Sequence, residues 1–218
     1  TILANSALAP KTVLFWRAFL QWQGGIFLFV IAVSVIPLSA IGGSELYRSA
    51  LAHGEKEGFV SRIKSSFIPL VQIYLFFTLV CFILLNISGM SFIDALSTSM
   101  ATISSGGFSN HANFGVNSFN NYSELILVPF MIIAASNLTY HWSFFSNGKI
   151  KIYKQDKELK YILSIIMIAA LLIFMVLINA ENSASTTIFK KLGVSIFTAV
   201  SAISTTGFLP DGSNSMPL

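Results

Sequence analysis

Long apolar segments alternate with polar stretches along this chain. Four of these segments contain no Asp, Glu, Lys or Arg: Ala18–Ser44, Ser65–Ile93, Leu125–Gly148 and Tyr161–Ala180. Each reaches the roughly 20 residues that a helix needs to cross about 30 Å of hydrocarbon. Two further apolar segments, Ser91–Ile103 and Ile188–Ile203, are shorter, and a helix over the first would rise only about 20 Å. The pattern predicts an all-α integral membrane protein with both spanning and re-entrant helices.

Both short segments end in a repeated turn. Ile103–Phe108 reads Ile-Ser-Ser-Gly-Gly-Phe, and Ile203–Phe208 reads Ile-Ser-Thr-Thr-Gly-Phe at the same register one hundred positions later. An echo at a fixed offset indicates a repeated structural unit. Irregular backbone at membrane depth is tolerated only when it is buried in protein or lines a watery cavity. Since a helix C-terminus is negative and free carbonyls can replace a hydration shell, the repeat predicts the walls of a cation pathway.

The placement of the charges orients these segments. Apolar residues make up 54% and charged residues 10% of the chain, which excludes an ordinary soluble core. The net charge of +4 does not indicate nucleic-acid binding, because most basic residues lie in two segments, Glu45–Lys64 and Gly148–Lys160. Between them, from Ser65 to Gly148, there is no Lys or Arg. The positive-inside rule therefore makes both segments cytoplasmic and places residues 88–122 outside.

Several single residues have simpler interpretations. Asp94, near the start of the first short helix, is expected to cap it, because a carboxylate there faces free N–H groups and the positive helix end. His141 lies beside Trp142 near the inner end of a span and is interpreted as an interfacial anchor. Cys81 is the single cysteine, so the sequence offers no disulfide framework or thiolate metal site.

Three groups of residues resemble the TrkH/KtrB branch of bacterial potassium-uptake proteins, which carry four helix–pore helix–helix units in one polypeptide. They are Leu14–Arg17 with Trp22, Gly24-Gly25, Ile36–Leu38 and Gly42-Gly43; the turns Ser105–Phe108 and Ser204–Phe208; and Phe130-Met131, Asn137 and His141-Trp142. Ile26-Phe27 and Ser104-Ser105 depart from the family pattern.

The resemblance implies a division of the chain into parts of three units. Residues 1–44 are expected to end the first unit with its closing helix, and residues 65–148 to form the second unit. Residues 45–64 and 149–160 are the cytoplasmic loops. Residues 161–218 are expected to form a third unit that stops after its filter, so the arrangement is incomplete.

The resemblance also implies potassium uptake across the bacterial cytoplasmic (inner) membrane, through a central pore with a filter of backbone carbonyls. The transported ion is K+, and no cofactor is expected in this chain. The filter residues would be Ser104, Ser105, Gly106, Gly107 and Phe108 in the second unit, and Ser204, Thr205, Thr206, Gly207 and Phe208 in the third. Expected partners are a second copy in a homodimer, a cytoplasmic nucleotide-binding regulatory subunit of the TrkA/KtrA kind and the lipid bilayer, but no nucleic acid.

Two other functions are compatible with parts of the sequence. One is a non-conducting membrane scaffold of the same architecture. The other is an intramembrane hydrolase in which His141 would activate Ser105. The predicted topology puts these two residues near opposite membrane faces, about 20 Å apart. A nucleophile and its base must be within hydrogen-bond reach, so an enzyme is not expected.

Overall fold

The computed structural model describes residues 10–39, 59–110, 122–147, 157–179 and 187–210. The regular elements within these ranges are α-helices: α1 Lys11–Ser39, α2 Phe59–Ile87, α3 Phe92–Ile103, α4 Tyr122–Ala135, α5 Leu138–Asn147, α6 Lys157–Asn179 and α7 Ile188–Ile203. The all-α prediction is therefore confirmed. Residues 1–9 of the expected first-unit segment and most of the two basic loops lie outside the described residues.

Two of the described helices are long and apolar enough to cross a membrane. These are Phe67–Ile87 within α2 and Glu158–Asn179 within α6. Large apolar side chains of α6 remain exposed, including Met167 at 62% and Ile168 at 60%. A helix that presents apolar side chains outward requires lipid or further helices around it.

The apolar segment Leu125–Gly148 does not form one continuous helix. α4 ends at Ala135 and α5 begins at Leu138. At the break, the Ser136 N–H and the Ser136 hydroxyl both donate to the Ile133 carbonyl oxygen, at 3.1 and 2.8 Å. A serine that satisfies a backbone carbonyl in this way competes with the helical hydrogen-bond ladder. The break follows from this local bonding.

The turn between α2 and α3 is a Schellman motif. Gly89 has φ +99°, and its N–H donates to the Asn86 carbonyl at 3.1 Å. The Met90 N–H donates to the Leu85 carbonyl at 3.2 Å, and both side chains are buried. These are the two bonds that characterise the motif, which stops α2 and redirects the chain into α3.

The short helix α3 lies at the centre of the bundle and packs against α1, α2 and α4. Its residues from Ser97 to Ile103 are all buried. The surrounding core includes Tyr74 and Phe77 from α2, Met131 from α4 and Phe197 from α7. An α-helix of this length rises only about 18 Å, so α3 ends inside the protein rather than at its far surface.

Candidate functional site

The backbone after α3 folds back onto the end of the helix. The N–H groups of Ser104 and Ser105 donate to the carbonyls of Met100 and Thr102, each at 3.1 Å. The N–H groups of Gly106 and Gly107 both donate to the Ala101 carbonyl, at 2.9 and 3.4 Å. A trans peptide directs its C=O opposite to its N–H, so the carbonyls of residues 103–106 face away from α3.

The turn after α7 repeats this arrangement at equivalent positions. The Ser204 N–H donates to the Val200 carbonyl at 2.8 Å, and the Thr205 N–H to the Ala202 carbonyl at 3.2 Å. The Gly207 N–H reaches the Ser201 carbonyl at 3.1 Å, which corresponds to the bond from Gly107 to Ala101. The sequence repeat therefore has a repeated backbone geometry.

Left-handed residues recur at matching positions in the two turns. Ser105 and Thr205 have φ of +52° and +60°, and Gly107 and Gly207 have φ of +63° and +77°. Glycine adopts this region freely, but for a β-branched residue such as Thr205 it is a genuine outlier. Such strain costs about 1–3 kcal/mol and persists only where the surroundings enforce it, commonly at functional sites. The residue types of the serine and the threonine gave no reason to expect these angles at their positions.

The two turns lie against each other. A Cβ built on Gly107 would overlap the Thr206 carbonyl oxygen and would lie 2.8 Å from the Thr206 carbonyl carbon. It would also lie 3.6 Å from the Gly207 nitrogen. Segments one hundred residues apart in sequence therefore meet at the glycines that the sequence analysis singled out.

Helix α1 contacts the turn after α3 through two polar side chains. Arg17 Nη2 donates to the Ser109 carbonyl oxygen at 2.8 Å, and the guanidinium carbon lies 4.5 Å from the centre of the Phe108 ring. The amide group of Gln21 fills the space in which a Cβ on Gly106 would lie. Sequence analysis quoted Arg17 only as part of the family pattern and did not consider Gln21.

A hydrogen-bonded aromatic cluster joins α1 to α2 behind the same turn. The Tyr74 hydroxyl donates to the Trp22 carbonyl at 3.1 Å, and Trp22 Nε1 donates to Thr78 Oγ1 at 3.1 Å. A Cβ on Gly25 would lie 2.7 Å from the Tyr74 hydroxyl and 3.2 Å from Ser104 Cβ. The close approach of α1 to the turn therefore depends on glycine at position 25.

The turn after α7 is instead held by its own hydroxyl groups. Ser201 Oγ donates to the Phe208 carbonyl oxygen at 2.7 Å, and Ser204 Oγ lies 2.9 Å from Thr206 Oγ1. Phe208 is buried in the core, where it anchors the end of the turn. The two turns share a backbone path but are supported differently.

Asp94 takes part in the cap of α3, although Ser91 is the N-cap residue. The Asp94 N–H donates to Ser91 Oγ at 3.4 Å, and the Ser91 hydroxyl donates to Asp94 Oδ2 at 2.6 Å. This reciprocal pair resembles a capping box. Asp94 Oδ1 also accepts from Asn110 Nδ2 at 3.0 Å. The carboxylate therefore ties the start of α3 to the chain that leaves the turn.

His141 is not an interfacial anchor, because its side chain is only 7% exposed and packs edge-on against Phe77. Its Nε2 lies 2.6 Å from Ser136 Oγ. Which of the two groups donates in this contact depends on the tautomer of His141. Within the described ranges, no group of three or more His, Cys, Asp or Glu residues is arranged to hold a metal ion.

Comparisons with known proteins agree with this architecture. A family model described as TrkH, cation transport protein, matches residues 1–180. The Trk system potassium uptake protein TrkH of Vibrio parahaemolyticus is 34% identical over 223 residues, which cover 100% of this chain and 45% of that protein. TrkH of Escherichia coli K12 is 32% identical over 222 residues, again covering 100% of this chain and 45% of the relative.

A solved structure, that of the potassium transporter TrkH from Vibrio parahaemolyticus, has a TM-score of 0.78 and 33% sequence identity with this chain. The match covers 94% of this chain and 40% of that one, so the chain spans less than half the length of these relatives. The family match, the full coverage of the chain and the shared all-helical fold identify it as a membrane protein that belongs to the TrkH family of cation transport proteins.

Proposed function

We propose that the protein carrying this chain takes up K+ through a central pathway of four units, with the turns after α3 and α7 as two walls of its filter. The observation that carries the proposal is the contact of Gly107 with Thr206 and Gly207. Two segments with the same backbone path lie side by side, as expected for neighbouring walls around a common axis. The relatives that match over the whole chain are named potassium uptake proteins.

The electrostatics of the two turns favour a cation. Helices α3 and α7 both end at these turns, and the C-terminal end of a helix carries partial negative charge. The turn N–H groups are used in bonds back to the helix ends, which directs the intervening carbonyls outward. Backbone carbonyls in such a ring replace the hydration shell of K+. Ser104, Ser105 and Gly106 would supply these carbonyls in one turn, and Ser204, Thr205 and Thr206 in the other.

The wider arrangement proposed for the protein follows the family. It is a multi-pass protein of the bacterial cytoplasmic membrane that acts as a homodimer. A nucleotide-binding subunit of the TrkA/KtrA kind meets it at the basic segments Glu45–Lys64 and Gly148–Lys160. K+ is the transported ion, and the protein has neither a resident cofactor nor catalytic residues.

The direct test is ion flux in liposomes that contain the complete protein carrying this sequence. We expect K+ flux to exceed Na+ flux, and Gly107→Ser or Gly207→Ser to reduce this preference, because an added side chain disturbs the carbonyl ring. Unchanged selectivity in both variants would contradict the filter assignment. Folded protein that carries no K+ would favour the scaffold and overturn the proposal.

A second variant separates transport from hydrolysis. Ser105→Ala should retain most K+ flux, because the proposed ligand at this position is the backbone carbonyl rather than the hydroxyl. A hydrolase that used Ser105 as its nucleophile would lose its activity in the same variant.

A further inference from the structure

We propose that Arg17 and Gln21 of α1 are positioning residues that set the ion selectivity of the second-unit turn. This inference rests on the proposed filter function and adds to it a contribution from the preceding unit. Both residues lie one helical turn apart on α1, on the side that packs against α3. Gln21 acts at the middle of the turn, and Arg17 acts at its end.

Gln21 takes the place of a side chain that the turn lacks. A Cβ on Gly106 would overlap the amide group of Gln21. At the equivalent position in the third-unit turn stands Thr206, whose hydroxyl contacts Ser204 Oγ at 2.9 Å. The third-unit turn therefore supports itself through Thr206, whereas the second-unit turn is supported by Gln21.

Arg17 holds the end of the turn in two ways. Its Nη2 donates to the Ser109 carbonyl, and its guanidinium group lies over the Phe108 ring. The planar guanidinium combines a directed hydrogen bond with stacking on an aromatic ring, which a lysine ammonium cannot reproduce. The position of the residues that follow Gly107 thus depends on a side chain of another unit.

The contacts are not ordinary polar packing, because each side chain keeps one polar atom buried without a partner. Within the described residues, Arg17 Nε and Gln21 Oε1 are buried and make no hydrogen bond. Buried polar groups are nearly always satisfied, so an unsatisfied one calls for an explanation. Arg17 Nη2 nevertheless bonds to the turn and the Gln21 amide packs against Gly106, so both side chains contact the turn although each keeps an unsatisfied atom.

A rescue experiment tests Gln21. Gly106→Ala should lower the K+ over Na+ flux ratio by about tenfold, because the new methyl group displaces the Gln21 amide and the turn with it. Gln21→Ala should also lower the ratio, since the back of the turn is left empty. The double variant, in which the methyl group occupies the vacated space, should return to within about threefold of the wild type. Gly24→Ala is the matched control, because a Cβ on Gly24 would meet no atom of the part of the chain that the structure describes within 4 Å.

Arg17 is tested by comparing Arg17→Lys with Arg17→Gln. If the guanidinium plane positions the turn, both variants should lose selectivity to a similar degree, although lysine keeps the charge. If Arg17 acted only through its charge, lysine would preserve the wild-type ratio, and this result would overturn its positioning role. Independent effects of Gly106→Ala and Gln21→Ala, with no recovery in the double variant, would overturn the role of Gln21.

The outcomes separate this inference from the proposed function. Wild-type protein without K+ flux would refute the proposed function itself. If the wild-type protein carries K+ selectively and the Gln21→Ala and Arg17→Gln variants keep the same K+ over Na+ flux ratio, only the inference would be refuted. Thermal unfolding of each variant in detergent identifies any variant that fails to fold. If Gly106→Ala fails to fold, the single Arg17 and Gln21 variants still test the inference.

Discussion

Gly107 and Gly207 occupy equivalent left-handed positions, yet alanine should affect them differently. An alanine at either φ, +63° or +77°, costs about 1–2 kcal/mol in backbone strain. At Gly207 no atom of the described residues lies within 4 Å of the added Cβ, so only the backbone strain is expected. At Gly107 the Cβ would overlap the Thr206 carbonyl oxygen, a backbone atom that cannot move unless the neighbouring turn moves. Overpacking of this kind adds about 1–3 kcal/mol.

We therefore expect Gly207→Ala to destabilise the protein by about 1–2 kcal/mol and Gly107→Ala by about 2–5 kcal/mol. Denaturant unfolding of the detergent-solubilised protein measures the difference. K+ and Na+ flux on the same preparations should show the larger loss of selectivity in Gly107→Ala, because only this variant displaces a second turn. Equal destabilisation by the two substitutions would refute the contact between the turns at Gly107.

Three further predictions concern strain, burial and topology. Thr205→Gly should raise stability by up to about 1 kcal/mol, since it removes a left-handed β-branched residue, and thermal unfolding measures the change. Ser136→Ala should destabilise the protein by about 1–3 kcal/mol, because it removes the hydroxyl that His141 contacts in a buried site; denaturant unfolding measures the loss. Single cysteines at Asn117 and Lys154, in a background without the native cysteine, should react with impermeant reagents from opposite sides of the membrane.

A specific experimental result would contradict each of these predictions. Ser164→Ala is the control for Ser136, because its hydroxyl bonds to the Lys160 carbonyl at an exposed site and its loss should have little effect. Equal effects of the two serine substitutions would argue against a buried bond. A less stable Thr205→Gly protein would mean that the left-handed threonine is not strained. Labelling of both cysteines from one side would overturn the topology.

The helices that end at the turns could be predicted closely from sequence. Ile188–Ile203 was predicted and observed with the same bounds, and α3 begins one residue later than the predicted Ser91. These limits are visible locally, because apolar residues give way to a Ser/Thr-Gly turn in both copies. The sequence repeat also favoured a shared location for the two turns, and Gly107 lies against Thr206 and Gly207 in the structure.

Other features could not be predicted because their causes are not local. Pro69 and Pro129 lie inside helices, whereas the break at Ser136 has no proline or glycine to mark it. The contact between Gln21 and Gly106 joins residues far apart in sequence, and the periodicity of apolar residues does not predict such a pair. Ser105 and Thr205 adopt the left-handed backbone conformation because tertiary packing enforces it, and the residue types alone gave no reason to expect this.

The glycine at position 106 makes the two copies of the turn non-interchangeable. If the Thr206 version were grafted into the earlier copy, its side chain would collide with Gln21. If the glycine version were grafted into the later copy, it would remove the buried Thr206 side chain and its contact with Ser204 Oγ. Engineering of either copy should therefore change the turn residue together with the side chain that supports it.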